Sequence, residues 1–163
     1  MKDFTLQIYK ELLHTILQNG YSTLTFEEYC KEKPDGKYIL LRHDVDLRPD
    51  FSLAMAQLEN QLGIKSTYYF RIVPESNQPA YIEAIVALGH EIGYHYEDLN
   101  LAKGNFDIAY TYYQKNLKYF RTFYPVCTVA MHGSPERNTI TVICGKNTII
   151  IILILLASLI LIF

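Results

Sequence analysis

Apolar positions recur at helical spacing early in the chain and in short compact runs further along. Phe4, Ile8, Leu12 and Ile16 repeat every four residues, which predicts an amphipathic helix with those four as its apolar stripe and Asn19-Gly20 as its stop. Thr25 with Glu28 three residues on forms a capping box, so a shorter helix with Phe26 and Tyr29 on one side follows. Pro34-Asp35-Gly36 is turn chemistry.

The pattern then changes. Tyr38 to Leu41 is a short apolar run between a turn and a polar cluster, the mark of a buried strand. Pro49 to Leu62 predicts a helix with Phe51, Met55, Leu58 and Leu62 inward and Gly63 as its stop. Thr67 to Val73 is aromatic and β-branched, and predicts a strand. A helix over Pro79 to Leu88 closes at Gly89, and His90 to Tyr96 predicts a third strand, because Gly89 and Gly93 disfavour a helix there. A long helix over Phe106 to Tyr124 and a fourth strand over Val126 to Met131 complete the series. Strands that alternate with helices predict an α/β fold with parallel strands joined by right-handed crossovers.

Composition divides the chain. Half of the 163 residues are apolar, but Ile149 to Phe163 is apolar throughout except for Ser158. Without that run the apolar share falls to about 45%, ordinary for a globular domain. The formal net charge of −2 argues against long-range attraction to nucleic acid. Three cysteines, Cys30, Cys127 and Cys144, are too few and scattered for a disulfide framework or a Cys-rich zinc module. No secretory signal pattern opens the sequence, so the expectation is a body in a reducing cytoplasm.

Parallel α/β folds bind ligands at the carboxyl ends of their strands. The first predicted strand ends in Arg42-His43-Asp44-Val45-Asp46. Alternation along a strand points Asp44 and Asp46 the same way, and two such carboxylates repel unless a cation lies between or near them. A divalent metal is the simplest such cation. The alternative is that Asp44 pairs with Arg42 while Asp46 caps the next helix. The third strand places His95 near its end, with Glu97 on the same face and Gly93 permitting a close backbone approach. His90, at that strand's start, reads as structural. The fourth strand ends in Met131-His132-Gly133-Ser134-Pro135, which puts His132 at a strand end as well, although Gly-Ser-Pro is also plain turn chemistry. Asp, His and His from successive strand ends make a zinc-type ligand set with a position left for water.

Three stretches together resemble the polysaccharide deacetylase (NodB-homology) family: Leu41 to Asp46, Leu62 to Phe70, and Leu88 to His95. That family carries an Asp-Asp motif, a GIKATFF-like strand and a GHEIGNH-like strand in this order, and the similarity runs from about Tyr38 to Pro135. The resemblance implies a deformed (β/α) barrel and a metal-dependent amide or ester hydrolase acting on acylated carbohydrate. It implies Asp44 as the catalytic base, with Asp46 and His95 as metal ligands. The intervening Val45 departs from the family's adjacent aspartates. The family's second His, four residues after the first, is Leu99 here, which leaves Glu97, Asp98 or His132 to fill the place. The His132 to Pro135 segment resembles a variant subgroup with a His-Asp-Val-Asp motif. The motif carrying the family's general acid has no counterpart, so His132 is the substitute acid for the leaving amine. The implied chemistry is water activated by a divalent metal, most simply zinc, with Asp44 accepting its proton.

After Pro135 the pattern stops, which predicts an incomplete barrel. The domain expectation is an N-terminal helical segment over 1–37, a partial deacetylase-like domain over 38–136, and a divergent tail over 137–163. Three readings of the tail compete. Residues 148–163 are just short of the usual transmembrane length, so membrane contact through Ile149 to Phe163 is one. A buried element replacing later barrel strands is the second, and a frameshifted end is the third. A non-catalytic remnant, tethered to a membrane or binding sugar, is the functional alternative to the deacetylase.

Overall fold

The structure, a computed structural model, describes residues 5–133, 149–150 and 159–161. Helix α1 (Leu6–Gln18) begins at Thr5, whose hydroxyl accepts a hydrogen bond from the Ile8 amide. Strand β1 (Ser22–Leu24) follows, then α2 (Phe26–Glu32), which carries the predicted capping box between Thr25 and Glu28. Next come β2 (Tyr38–Val45), α3 (Pro49–Gln61), β3 (Thr67–Phe70), α4 (Pro79–Ala87) and β4 (Glu91–Tyr96). The short α5 (Asp98–Leu101), α6 (Phe106–Phe120) and β5 (Thr128–Met131) complete the body. Gly63 and Gly89 take the left-handed conformation after α3 and α4, as expected of helix stops.

Strands β1 to β5 lie side by side in chain order and all run parallel. This is the predicted α/β arrangement, extended by one further strand, β1, at its edge. Two short backbone pairings come from the tail: β6 (Ile149–Ile150) runs parallel to β5, and β7 (Leu159–Leu161) runs antiparallel to β2. The remainder of the expected apolar segment 148–163, with Ser134 and Pro135, lies outside the described residues. No helix among the described residues is long and apolar enough to cross a membrane.

Residue alternation divides each strand between two faces. On one, Val45, Tyr68, Phe70, Ile92, Tyr94, Tyr96 and Val129 pack with Ala56 of α3, Ile82 and Ile85 of α4, and Tyr113, Leu117 and Phe120 of α6. Each fully buried aliphatic or aromatic side chain contributes about 1.5–3 kcal/mol to this layer. On the opposite face, Leu40, Tyr69 and Ala130 meet Phe26 of α2. The aromatic ring of Tyr69 lies across Gly93, where a Cβ would come within 2.2 Å of it. The predicted close approach at Gly93 is therefore a ring packed against bare backbone.

The predicted face of α1 is rotated in the structure, and that of α3 holds except at its start. Helix α1 buries Ile16 as predicted, but Tyr9 and Leu13 take the inner positions while Ile8 and Leu12 are 43% and 37% exposed; Phe4 lies outside the described residues. In α3, Met55, Leu58 and Leu62 pack inward as predicted, whereas Phe51 is 55% exposed and Ala56 and Glu59 are the fully buried positions. One buried acid joins the two helices. The Glu59 carboxylate is fully buried and accepts hydrogen bonds from Tyr9, His43, Ser66 and Tyr68. Tyr9 outcompetes Ile8 for the inner position because its ring joins the apolar cluster of Leu13, Ile39 and Ile64 while its hydroxyl reaches that acid. His90, expected to be structural, is buried beside this network, with Nδ1 accepting from the Ser66 amide and Nε2 3.0 Å from the Ala56 carbonyl.

Burial pushes the Glu59 carboxyl up, but the charge and hydrogen bond of His43, with the Ser66 and Tyr9 hydroxyls, outweigh it and hold it at about 2. A folded-state value below the unfolded 4.5 stabilises the protein fully above 4.5, and the contribution is lost as pH falls toward 2. Glu59→Gln is therefore less stable than the parent at neutral pH in chemical denaturation, and the gap narrows between pH 4.5 and about 2. A gap that stays constant on acidification contradicts this assignment.

Candidate metal centre

The carboxyl ends of β2, β4 and β5 deliver the predicted site residues to the face opposite α3, α4 and α6. Asp46 immediately follows β2, His95 lies in β4, and His132 immediately follows β5. The β5 ladder extends one step further through the His132 amide, which donates to the Tyr96 carbonyl at 2.9 Å. That bond holds the His132 side chain on the same face as His95.

Three potential donor atoms converge. His132 Nδ1 lies 3.2 Å from both His95 Nε2 and Asp46 Oδ1, and His95 Nε2 lies 3.7 Å from Asp46 Oδ1. A tetrahedral zinc ion with bonds of about 2.0–2.1 Å needs ligand atoms about 3.3–3.4 Å apart. The observed spacing is close to that requirement. Asp46 Oδ1 is buried and makes no well-formed hydrogen bond. A single proton on His132 Nδ1 serves only one of its two neighbours at a time, so a cation at the centre would satisfy all three atoms.

His95 is 2% exposed and its Nδ1 lies 3.1 Å from the Ala130 carbonyl. Donation from Nδ1–H to that carbonyl leaves the Nε2 lone pair facing the cluster, the tautomer a metal ligand requires. Burial keeps its pKa below the ordinary histidine value, partly opposed by the charge of Asp44. For Asp46, burial raises the pKa, but the neighbouring His132, followed by His95 and Arg71, lowers it overall.

Asp44 projects beside this group, with Oδ2 3.8 Å from His95 Nε2. Its two oxygens accept from Arg42 Nε at 2.7 Å and Nη2 at 2.9 Å, and the guanidinium lies over the Tyr69 ring. The pairing of Asp44 with Arg42 considered from the sequence is thus present. The capping role considered for Asp46 is not: the cap of α3 is Arg48, without a side-chain cap bond, and Asp46 turns toward the histidines.

The three further ligand candidates, Glu97, Asp98 and His132, separate cleanly. His132 joins Asp46 and His95. Glu97 is buried and gripped by Arg71 through two bonds of 2.8 and 2.9 Å. Asp98 accepts from Tyr94 and Asn116 between α5 and α6. Arg71 leaves no signal in the sequence, because a long side chain reaching to the neighbouring strand end has no local periodicity.

A second group able to hold an ion, Glu27, Glu91 and Cys127, lies at the other end of the strands. Here the donor atoms have partners. Glu91 accepts from Thr67, Thr128 and the Glu27 amide, and Glu27 accepts from Tyr124 and Lys31. Burial, with the nearby charges of Glu27 and Glu91, pushes the Cys127 thiol up to about 12. A thiol held protonated is a poor ligand. The cluster is better explained as the bond between α2 and the sheet.

Comparison with protein-family models, with curated proteins and with solved structures finds no match to this chain. Asp46→Ala and His95→Ala are each expected to lose Zn²⁺ binding in calorimetric titration while retaining a cooperative melt. Parent-like affinity in both variants contradicts the site.

Proposed function

We propose that the chain is a metal-dependent hydrolase of the polysaccharide deacetylase type, removing acyl groups from amino sugars or polysaccharide. The observation that carries this reading is the convergence of Asp46, His95 and His132 beside a separately held carboxylate, Asp44. Two further features support it. Strands β1 to β5 follow chain order without a switch point, as in a barrel wound in one direction, and the site lies at their carboxyl ends. The barrel itself belongs to this proposal.

A divalent cation such as zinc, held by Asp46 Oδ1, His95 Nε2 and His132 Nδ1, would supply Lewis acidity to the acyl carbonyl and to water. The chain's own residues do the rest. Asp44 is the base that takes a proton from the attacking water. Arg42 fixes both oxygens of Asp44, so the carboxylate cannot rotate away from the site. The family resemblance left His132 as either ligand or acid. Its Nδ1, facing both other donors, favours the ligand role. Asp44, once protonated, is then the group that returns the proton to the leaving nitrogen.

This reading expects zinc-dependent release of acetate from acetylated amino-sugar oligomers. Asp44→Asn should lower kcat by about 10²-fold or more while leaving zinc affinity within a few-fold of the parent. Zinc-loaded parent protein that releases no acetate across a panel of N- and O-acetylated sugars contradicts catalysis and favours a non-catalytic sugar-binding remnant.

A further inference from the structure

Glu97 is a buried carboxylate close in sequence to His95, and Arg71 holds both of its oxygens. It follows His95 by two residues at the end of β4, and its side chain is buried. Arg71 Nε lies 2.8 Å from Glu97 Oε1 and 4.0 Å from Asp46 Oδ1, so one guanidinium separates the two carboxylates. Arg71 is itself anchored: its amide donates to Ser76 Oγ at 2.9 Å, and that hydroxyl donates to the Val45 carbonyl next to Asp46.

We propose that Arg71 is a positioning residue that withholds Glu97 from the metal site, so that the cation keeps only three protein donors and stays accessible to substrate. This inference rests on the metal centre proposed above. The physics is a competition for one buried carboxylate. With Arg71 present, both Glu97 oxygens are satisfied by a planar fork matched to them. Without it, a buried and unpaired carboxylate is strongly disfavoured, and the nearest remaining positive charge is the cation itself. Glu97 then becomes a fourth protein donor and closes the site. Three protein donors with a free position characterise catalytic zinc sites, whereas four characterise structural ones. Arg71 thus determines which kind of site the fold makes.

The test is a two-step calorimetric titration of the full-length chain, first with Zn²⁺ and then with acetohydroxamate, a small ligand that needs an accessible ion. The parent is expected to bind both, and a parent that binds no Zn²⁺ overturns the metal centre itself. Arg71→Met is expected to bind Zn²⁺ at least as tightly but to lose hydroxamate affinity at least tenfold. The double variant Arg71→Met/Glu97→Gln is expected to regain it. Parent-like hydroxamate binding by Arg71→Met, or failure of the double variant to recover it, overturns the role of Arg71 while leaving the metal centre standing. If Arg71→Met does not fold, Arg71→Lys decides. A point charge cannot hold both Glu97 oxygens, so hydroxamate affinity should fall in this variant too, and unchanged affinity overturns the proposal.

Discussion

Strands β4 and β5 run in parallel register, with His95 beside Ala130 and Tyr96 beside Met131, and the His132 amide adds one bond beyond the strand. Everything at the candidate site depends on this ladder. Side chains alternate with a period of two, so a slip of one residue would turn His132 toward the α6 side of the sheet. The same ladder brings the Ala130 carbonyl to His95 Nδ1, and so selects the imidazole tautomer that aims Nε2 at Asp46 and His132. Packing resists a slip. Tyr94 and Val129 are locked into the core against Phe120 and Tyr113, and Tyr69 fits only against the bare backbone of Gly93.

Charge is distributed around the site with equal economy. Asp44, Asp46 and Glu97 bring three carboxylates to one strand-end face, and Arg42 and Arg71 bring two guanidiniums. Arg42 takes both oxygens of Asp44, and Arg71 takes both oxygens of Glu97. Asp46 is left with His95 and His132 as its near neighbours and Arg71 at the margin. A carboxylate facing two imidazoles is an unusual arrangement for stability alone, since the buried oxygen Asp46 Oδ1 has no well-formed hydrogen bond. It is a natural arrangement for a cation.

Much of this was legible in the sequence, for physical reasons that can be named. The strand and helix order follows from apolar runs and glycine stops, and Asp46, His95 and His132 stand at strand ends, where alternation and position together determine where a side chain projects. What was not legible depends on partners distant in sequence. Strand β1 has three residues and no pattern of its own, and exists because β2 offers it a parallel edge. The α1 stripe was misjudged because Ile8 is more apolar than Tyr9, while the buried Glu59 rewards a hydroxyl. Glu59 itself reads as a surface residue of a helix until four donors surround it. Arg71 and Glu97 immediately follow different strands, and their pairing is visible only once β3 and β4 are side by side.

The central claim is that a divalent cation binds among Asp46, His95 and His132 rather than at the Glu27, Glu91 and Cys127 cluster. X-ray absorption at the zinc edge of the zinc-loaded protein tests it most directly. The account predicts a first shell of nitrogen and oxygen only, at about 2.0–2.1 Å, with the outer-shell scattering of two imidazoles. A sulfur atom at about 2.3 Å would place the metal at Cys127 and contradict it.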